Sequence, residues 1–374
     1  MALIKIKSGG VDNTTNLGRR NLIINGAMDV AQRGTSTTGI ANGASGIFPS
    51  TDRVKFWNQG GGSQQYTHSQ SSNVPNTQFR HSTRLECTTA DTSLPSAHYS
   101  LFRLGLIEAQ DCKRIGFGSA SAQPLTFSFW CRSSQTGSQD VLLVTHGNIQ
   151  RNSVKTFTIS AANTWQYVTI TYPADTDASA NISGETDNSM VLSIDIFLTA
   201  GATYQGGTAP ANGAWDTRSG NSNYRANNTL NIAGAVGRYF EITGAQLEVG
   251  NTATPFEHLS FAEELYSCQR YFETNYDQGV ALGTAVGNAQ SYGISYRATQ
   301  GSTNYYSHPF KVPKRATPTV TIYNGVTGAT GTWRGSSSTD RSITTANNTH
   351  SMNILGPSNN DFIRSGFYGA DAEL

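Results

Sequence analysis

The chain has 374 residues, with 26 basic against 25 acidic side chains and a formal net charge of +1. Such a length fits two or three domains. The balanced charge and the lack of a polybasic stretch exclude binding through a nucleic-acid backbone. No run of about 18 apolar residues is present, which excludes a membrane-spanning helix. Charged residues are only 14% of the sequence, against roughly 25% in an average soluble domain. Ser, Thr, Asn, Gln and 38 Gly fill the deficit, a mixture that disfavours long helices and favours strands and turns.

In chain order, residues 1–20 are polar and unpatterned except for the short alternation at Leu3, Ile4 and Ile6. They read as an arm that docks on another protein or on sister chains, with Leu3, Ile4, Ile6, Arg19 and Arg20 as its contacts. Strand-like text begins at 21–26, an apolar run closed by Asn25-Gly26, and continues at 52–57. The clearest strand spans 125–132. Leu125, Phe127, Phe129 and Cys131 lie on one face, and Thr126, Ser128, Trp130 and Arg132 on the other. Strands follow at 155–159, 165–172, 190–197 and 239–249, punctuated by Gly, Asn, Ser and Pro. Many short alternating strands with such turns predict an antiparallel sandwich or jelly roll, in which only alternate residues point inward.

Ser260 and Glu263 form a capping box ahead of one helix. Its apolar stripe is Phe261, Leu265, Cys268 and Phe272. The preceding residues 253–256, which contain Pro255, read as a stiff joint. Beyond lies a second β segment with strands at 292–296, 305–312, 319–323, 342–345 and 362–368. Loops are expected at 325–338 and 347–360. The organisation is thus an arm (1–20), a jelly roll (21–258), a linking helix (259–276) and a distal β domain (277–374). The distal segment is short of large aliphatic residues, so association with copies of itself, as a homotrimer, is expected.

Catalytic signatures are missing. There is no phosphate loop, no H-E-x-x-H zinc site and no nucleophile elbow, and Gly116-Phe117-Gly118 reads as a turn rather than a dinucleotide loop. The four cysteines (Cys87, Cys112, Cys131 and Cys268) form no C-x-x-C pair; Cys131 and Cys268 are expected as buried thiols. The seven histidines show no metal-ligand spacing. Asp175 with Asp177, and Glu185 with Asp187, are the only close carboxylate pairs weighed for glycoside hydrolysis, and both read as turn residues. No cofactor, no metal and no enzymatic activity are expected.

Several segments resemble one family. Residues 20–35, which contain Asn21-Leu22-Ile23-Ile24-Asn25-Gly26-Ala27-Met28, are similar to the N-terminal signature of bacteriophage tail-fibre and virion structural proteins. Thr51-Asp52-Arg53 with Trp57, and residues 125–137, are similar to elements that follow it. Residues 240–250, with Ala253-Thr254-Pro255-Phe256-Glu257 and Cys268-Gln269-Arg270-Tyr271, form the most specific run. Residues 315–320 and 370–374 resemble the family's C-terminal part.

The resemblance implies a carbohydrate-binding-module-like jelly roll, a helix and a distal β domain, usually as a trimer. It also implies a virion component with a role in host recognition. The sequence start lacks the long apolar core of a secretory signal, which agrees with assembly in the host cytoplasm and release by lysis. The arm would attach to a phage tail or adaptor protein. The distal loops would meet host surface polysaccharide or an outer-membrane component, without nucleic acid and without membrane insertion. Sugar recognition uses an aromatic face for the ring and amide or charged groups for the hydroxyls. Tyr305, Tyr306, Trp333 and Arg334, beside Asn347 and Asn348, are the distal candidates. Trp57, Trp215 and Tyr224 are those of the jelly roll, with core packing the favoured role for Trp57 and Trp165. A purely structural appendage (a head fibre or spacer) and a capsule-degrading glycosidase are the alternatives.

Overall fold

The computed structural model describes residues 19–146, 149–180, 182, 187–205, 212–218, 230–287, 293–297, 304–336, 338–356 and 362–373. Through residue 249 the strands are β1 (Ser36–Ile40), β2 (Ala44–Ile47), β3 (Lys55–Gln59), β4 (Gln65–Ser71), β5 (Ser82–Thr89), β6 (Tyr99–Glu108) and β7 (Leu125–Ser133). They continue with β8 (Gly137–Thr145), β9 (Arg151–Ile159), β10 (Gln166–Tyr172), β11 (Met190–Ala200), β12 (Asn212–Thr217) and β13 (Tyr239–Val249). They form two antiparallel sheets, ordered β1-β4-β5-β13-β7-β10 and β12-β9-β8-β11-β6-β3-β2.

The period-2 pattern of β7 explains how the sheets pack. Leu125, Phe127, Phe129 and Cys131 all point into one core, where they meet Val141 and Leu143 of β8 and Ile194 and Ile196 of β11. The Phe127 and Phe129 rings stack 4.7 Å apart. Each such fully buried side chain stabilises the sandwich by about 1.5–3 kcal/mol. Alternation fails on the second sheet. Its outer face carries a further apolar cluster of Leu142, Val144, Phe197 and Tyr204, so β8 and β11 are buried on both sides. A single helical turn, Ala202–Gln205, contributes Tyr204 to that cover.

The chain after residue 260 forms the second β module. Its strands are β14 (Phe272–Thr274), β15 (Ile294–Arg297), β16 (Asn304–Pro309), β17 (Thr319–Asn324), β18 (Thr332–Gly335), β19 (Asp340–Ser342), β20 (Thr344–Asn347), β21 (Ser351–Gly356) and β22 (Phe362–Asp371). β22 is the hub, pairing with β14, β15, β17 and β18, while β16, β21 and β20 form a small second sheet. Their shared core contains Tyr296, Phe310, Trp333, Met352, Ile354, Ile363 and Tyr368. A Lys314–Glu273 ion pair is buried at its side, with the Tyr368 hydroxyl donating to the same carboxylate. The protein is therefore all-β: a two-sheet jelly roll, one short helix and a C-terminal β-sandwich module.

Several local expectations differ. Residues 21–26 form a turn instead of a strand, with Asn25 and Met28 at positive φ. They pack on β13: Leu22 N donates to Leu247 O, Asn21 Nδ2 to Ala245 O, and Ala245 N to Gly26 O. A Cβ on Gly26 would lie 2.2 Å from Ala245 O. The helix Phe261–Gln269 has the expected capping box, but its buried face is Glu264, Cys268 and Gln269. Phe261 is exposed, and Phe272 belongs to β14. Glu264 is buried because it accepts from Asn25 N and pairs with Arg19. Two expected loops contain strands, β18 and β21. All four cysteines are buried free thiols.

The two modules are joined by a buried charged seam. The Glu373 carboxylate meets the guanidinium groups of both Arg53 and Arg33, and Arg33 also faces Asp52. The Arg53 guanidinium lies 3.5 Å from the Tyr271 ring centroid and that of Arg33 3.6 Å from the Phe272 ring. Arg53 holds a left-handed backbone (φ 66°), which costs a non-glycine residue about 1 kcal/mol or more. Its side chain is anchored by Glu373 and Leu106 O. Gln32 bridges the Asp52 carboxylate and Phe272 O, and Arg270 forms a two-point pair with Glu108. Burial pushes the Asp52 carboxyl up to about 6, against the pull of Arg33 and Gln32.

Candidate functional site

The outer face of the first sheet follows from the same alternation that builds its core. With Phe127, Phe129, Val168 and Ile170 inward, Ser128 and Trp130 of β7 and Tyr167 and Thr169 of β10 must face out. Tyr167 stands opposite Trp130, and Thr169 opposite Ser128. The two rings are 5.3 Å apart and tilted by 47°. Tyr167 is 47% exposed, an unusual position for so large an apolar surface on a strand.

The neighbouring strand opens a hollow beside these rings. β13 slips register between Thr243 and Gln246, and Gly244 in the bulge adopts φ +61°. A Cβ there would lie 2.8 Å from Phe79 Cζ and 3.3 Å from Trp130 Cδ1, so only glycine lets both rings approach the backbone. Residues 253–256 form the opposite wall. They are laid across the sheet because Gln246 Nε2 donates to Thr254 O and Thr254 Oγ1 donates to Glu248. The expected stiff joint is thus a strap on the sheet, and it carries Phe256 to within 5.3 Å of Phe79.

The result is an open groove of about 510 Å³, walled by Phe79, Trp130, Tyr167 and Phe256 and edged by Asn76, Gln78, Ser128, Thr169 and Thr254. Among the described residues, no carboxylate and no cationic side chain lines it. Such a surface offers ring faces and hydrogen-bonding hydroxyl and amide groups, the chemistry that a neutral polyol requires. It lacks the paired carboxylates that glycoside cleavage needs. Among the described residues no group of three or more His, Cys, Asp or Glu side chains is placed to hold a metal ion.

The residues expected to bind are scattered. Trp333, expected as a loop platform, is a core residue of β18 with no exposed surface. Its indole N–H donates to Phe367 O, and its ring covers Gly366, where a Cβ would lie 2.5 Å away. Arg334 pairs with Asp340 and donates to Ser338 O. Asn348 caps the turn to Ser351, and Asn347 donates to Thr345 Oγ1. Tyr305 lies on β16. Tyr306, on the same strand, is 39% exposed and stacks on Tyr296 at 5.8 Å. Of the two expected distal aromatics with described side chains, Tyr306 and Trp333, only Tyr306 is exposed. Trp215 sits edge-on against Phe117 and donates to Pro173 O, so it is held against the core. Tyr224 lies outside the described residues.

At the N-terminus, Leu3, Ile4 and Ile6 also lie outside the described residues. Arg19 and Arg20, expected to contact another protein, engage this chain. Arg19 pairs with Glu264, while Arg20 donates through its backbone N–H to Glu257 and through its guanidinium to Thr254. Of the weighed carboxylate pairs, Asp175 and Asp177 share Arg151, and Asp177 caps Ser179. Glu185 lies outside the described residues. Asp187 accepts from Ser189.

Trp130, Tyr167, Phe79 and Phe256 were missed as binding residues. The signal for Trp130 was present, because a tryptophan between Ser128 and Arg132 stands on the polar face of its strand. Phe79, Gly244 and Phe256 gave no signal, since tertiary packing alone brings them together.

No protein-family model matches the chain, and no curated protein matches it. Among solved structures, it is similar to the enzymatically active domain of tailspike protein 4 from bacteriophage CBA120, at 11% identity and a TM-score of 0.30. That match covers 53% of this chain and 19% of the tailspike, so the chain spans about a fifth of its length. A second similar structure is the family 11 carbohydrate-binding module from Clostridium thermocellum in complex with a β-1,3-1,4-mixed-linked tetrasaccharide. It has 11% identity, a TM-score of 0.26, and coverage of 59% of this chain and 99% of that one. The all-β class is read from the chain's own strand pairing.

Proposed function

We propose that the chain is a saccharide-binding component of a phage tail fibre, non-enzymatic, and that it grips its ligand in the aromatic groove of the jelly roll. The observation that carries the saccharide reading is the Trp130–Tyr167 pair: two large rings side by side on an otherwise polar sheet face, with hydroxyl and amide groups around them and no carboxylate between. Stacked sugar rings would lie on these faces while the groove's hydroxyls and amides bond the sugar hydroxyls. The site thus lies on the jelly roll instead of the distal loops.

The virion reading is supported by the tail-fibre resemblance of residues 20–35 and 240–257. These two segments touch in the fold through Asn21, Leu22, Gly26, Ala245 and Leu247. In this reading the N-terminal arm fastens the chain to a phage tail or adaptor protein, three copies associate, and the groove meets polysaccharide on the host surface.

Binding to purified host polysaccharide, followed by calorimetry, tests the site. Trp130→Ala removes one stacking face and is expected to weaken binding about tenfold. Trp130→Ala with Tyr167→Ala abolishes it, with an unchanged unfolding transition. Full affinity in the double variant would overturn the site. Failure of the purified protein to block phage adsorption would overturn the receptor role and favour a purely structural appendage. Sedimentation of a stable folded monomer would overturn the trimer.

A further inference from the structure

The aromatic groove is open above but walled on three sides, and particular hydrogen bonds make each wall. Across β7 and β10 the outward residues form a ladder: Thr126 opposite Thr171, Ser128 opposite Thr169, and Trp130 opposite Tyr167. At about 3.4 Å per residue along a strand, successive rungs lie about 7 Å apart. The first rung is capped. Thr126 Oγ1 donates to Gly250 O at 2.8 Å and Thr171 Oγ1 donates to Asn251 O, while Gly250 N donates to Pro124 O. Thr126 is left with no exposed surface. From there the strap 253–256 runs beside the groove and ends in Phe256, against Phe79.

The loop between β4 and β5 closes the far end. Sheet order puts β13 and β7 between β5 and β10, and Asn73 of this loop reaches across them. Its Nδ2 donates to Glu241 on β13, and its Oδ1 accepts from the indole N–H of Trp165, the residue just before β10. Trp165, expected as core, is half-buried there. The loop is held in shape, since Ser82 Oγ donates to Asn73 O and Gln78 N donates to Asn76 Oδ1. Asn76, Gln78 and Phe79 line the groove from it. The remaining side is that of β10, the last strand of its sheet, where Tyr167 and Thr169 are exposed.

We infer that the groove takes the end of a neutral glycan chain, entering over β10 with Tyr167 at the mouth and Trp130 inside. An internal stretch continues in both directions and needs two exits along the sheet, whereas the walls leave one. The volume of about 510 Å³ lies within the range, roughly 300–1,000 Å³, of pockets that enclose a whole small molecule, so it suits terminal sugar residues and not a long segment. Among the described residues the lining is uncharged, which fits a neutral end group. The inference rests on the saccharide reading of this groove and adds which part of the saccharide is held.

The probe is purified host polysaccharide cleaved to fractions of defined length, and the full chain is titrated with each by calorimetry. The number of sites occupied per glycan chain is expected to stay constant as the chains shorten, so halving the length doubles the protein bound per gram. A number per chain that rises with length would overturn end binding and leave the saccharide reading standing. Absence of binding to every fraction would overturn that reading, and this inference with it. Tyr167 is 47% exposed, so Tyr167→Ala leaves the fold intact, and it is expected to weaken binding of the shortest fraction about tenfold. Undiminished affinity in that variant would place the chain ends elsewhere and overturn the inference.

Discussion

Replacing Glu373 by Ala tests whether the charged seam holds the two modules together. The side chains of Glu373, Arg53, Arg33 and Asp52 are 5%, 3%, 8% and 1% exposed, so these charges are desolvated and depend on one another. Two guanidiniums face two buried carboxylates, with Asp371, 47% exposed, at the rim. Without Glu373, Arg33 keeps Asp52 and the exposed Asp371, while Arg53 keeps only Leu106 O as an acceptor among the described residues. Breaking a buried pair from one side costs roughly 3–5 kcal/mol. The Tyr271 and Phe272 ring faces remain under the two guanidiniums and offset about 1 kcal/mol of this. A loss of about 3 kcal/mol is therefore expected, a large share of the 5–15 kcal/mol typical of a domain. Urea unfolding followed by tryptophan fluorescence measures it. Arg53→Met combined with Glu373→Leu removes one charge of each sign and should recover most of the loss. A change below about 1 kcal/mol in the single variant, the size expected of a surface pair, would refute the reasoning. So would a double variant as unstable as the single one.

Trp333→Ala should destabilise the C-terminal module by about 3–5 kcal/mol by leaving a cavity in its core; a variant that folds normally and loses only ligand binding would restore the platform role expected from sequence. Stability should also depend on pH through His68. Burial holds its imidazole down at about 3, and its two ring nitrogens face the hydroxyls of Ser50 and Thr83. In the unfolded chain it titrates near 6.5, so its contribution is complete above that pH and is lost as the pH falls toward 3. Between pH 7.5 and 5 the wild type should lose about 2 kcal/mol more than His68→Asn does; parallel stability curves for the two would exclude the effect.

The jelly roll was legible in the sequence wherever one face of a strand is core and the other is not. β7, β10, β11 and β13 lie close to where alternation placed them, and the capping box at Ser260 marked the helix start. Legibility failed where a residue's surroundings come from distant chain. Trp333 looks like a loop aromatic because Gly331 and Gly335 flank it, yet the glycine that matters for its ring is Gly366. Asn25-Gly26 correctly signalled a turn, but the apolar residues before it pack on β13 instead of pairing as a strand. The helix stripe misled because Glu264, buried by Arg19 and Asn25 N, displaced Phe261 from the inner face. The charged seam draws on positions 33, 52, 53 and 373, and no local pattern links them. The groove was half legible: Trp130 was visible on the polar face, but the bulge at Gly244 and the strap at 253–256 were not.

The place of β22 in its sheet has a consequence for biosynthesis. It is the last strand of its module along the chain, yet β14, β15, β17 and β18 all pair with it. Until β22 has been made, those four strands have no partner that joins them, and their edges stay open. Closure of the sheet waits for residues 362–371 to clear the exit tunnel, and Glu373 reaches Arg53 only after that. A nascent chain interrupted ahead of β22 would carry a complete jelly roll with its groove formed, followed by a tail of unpaired edges. Full-length and truncated products would therefore differ in protease sensitivity from the helix onward.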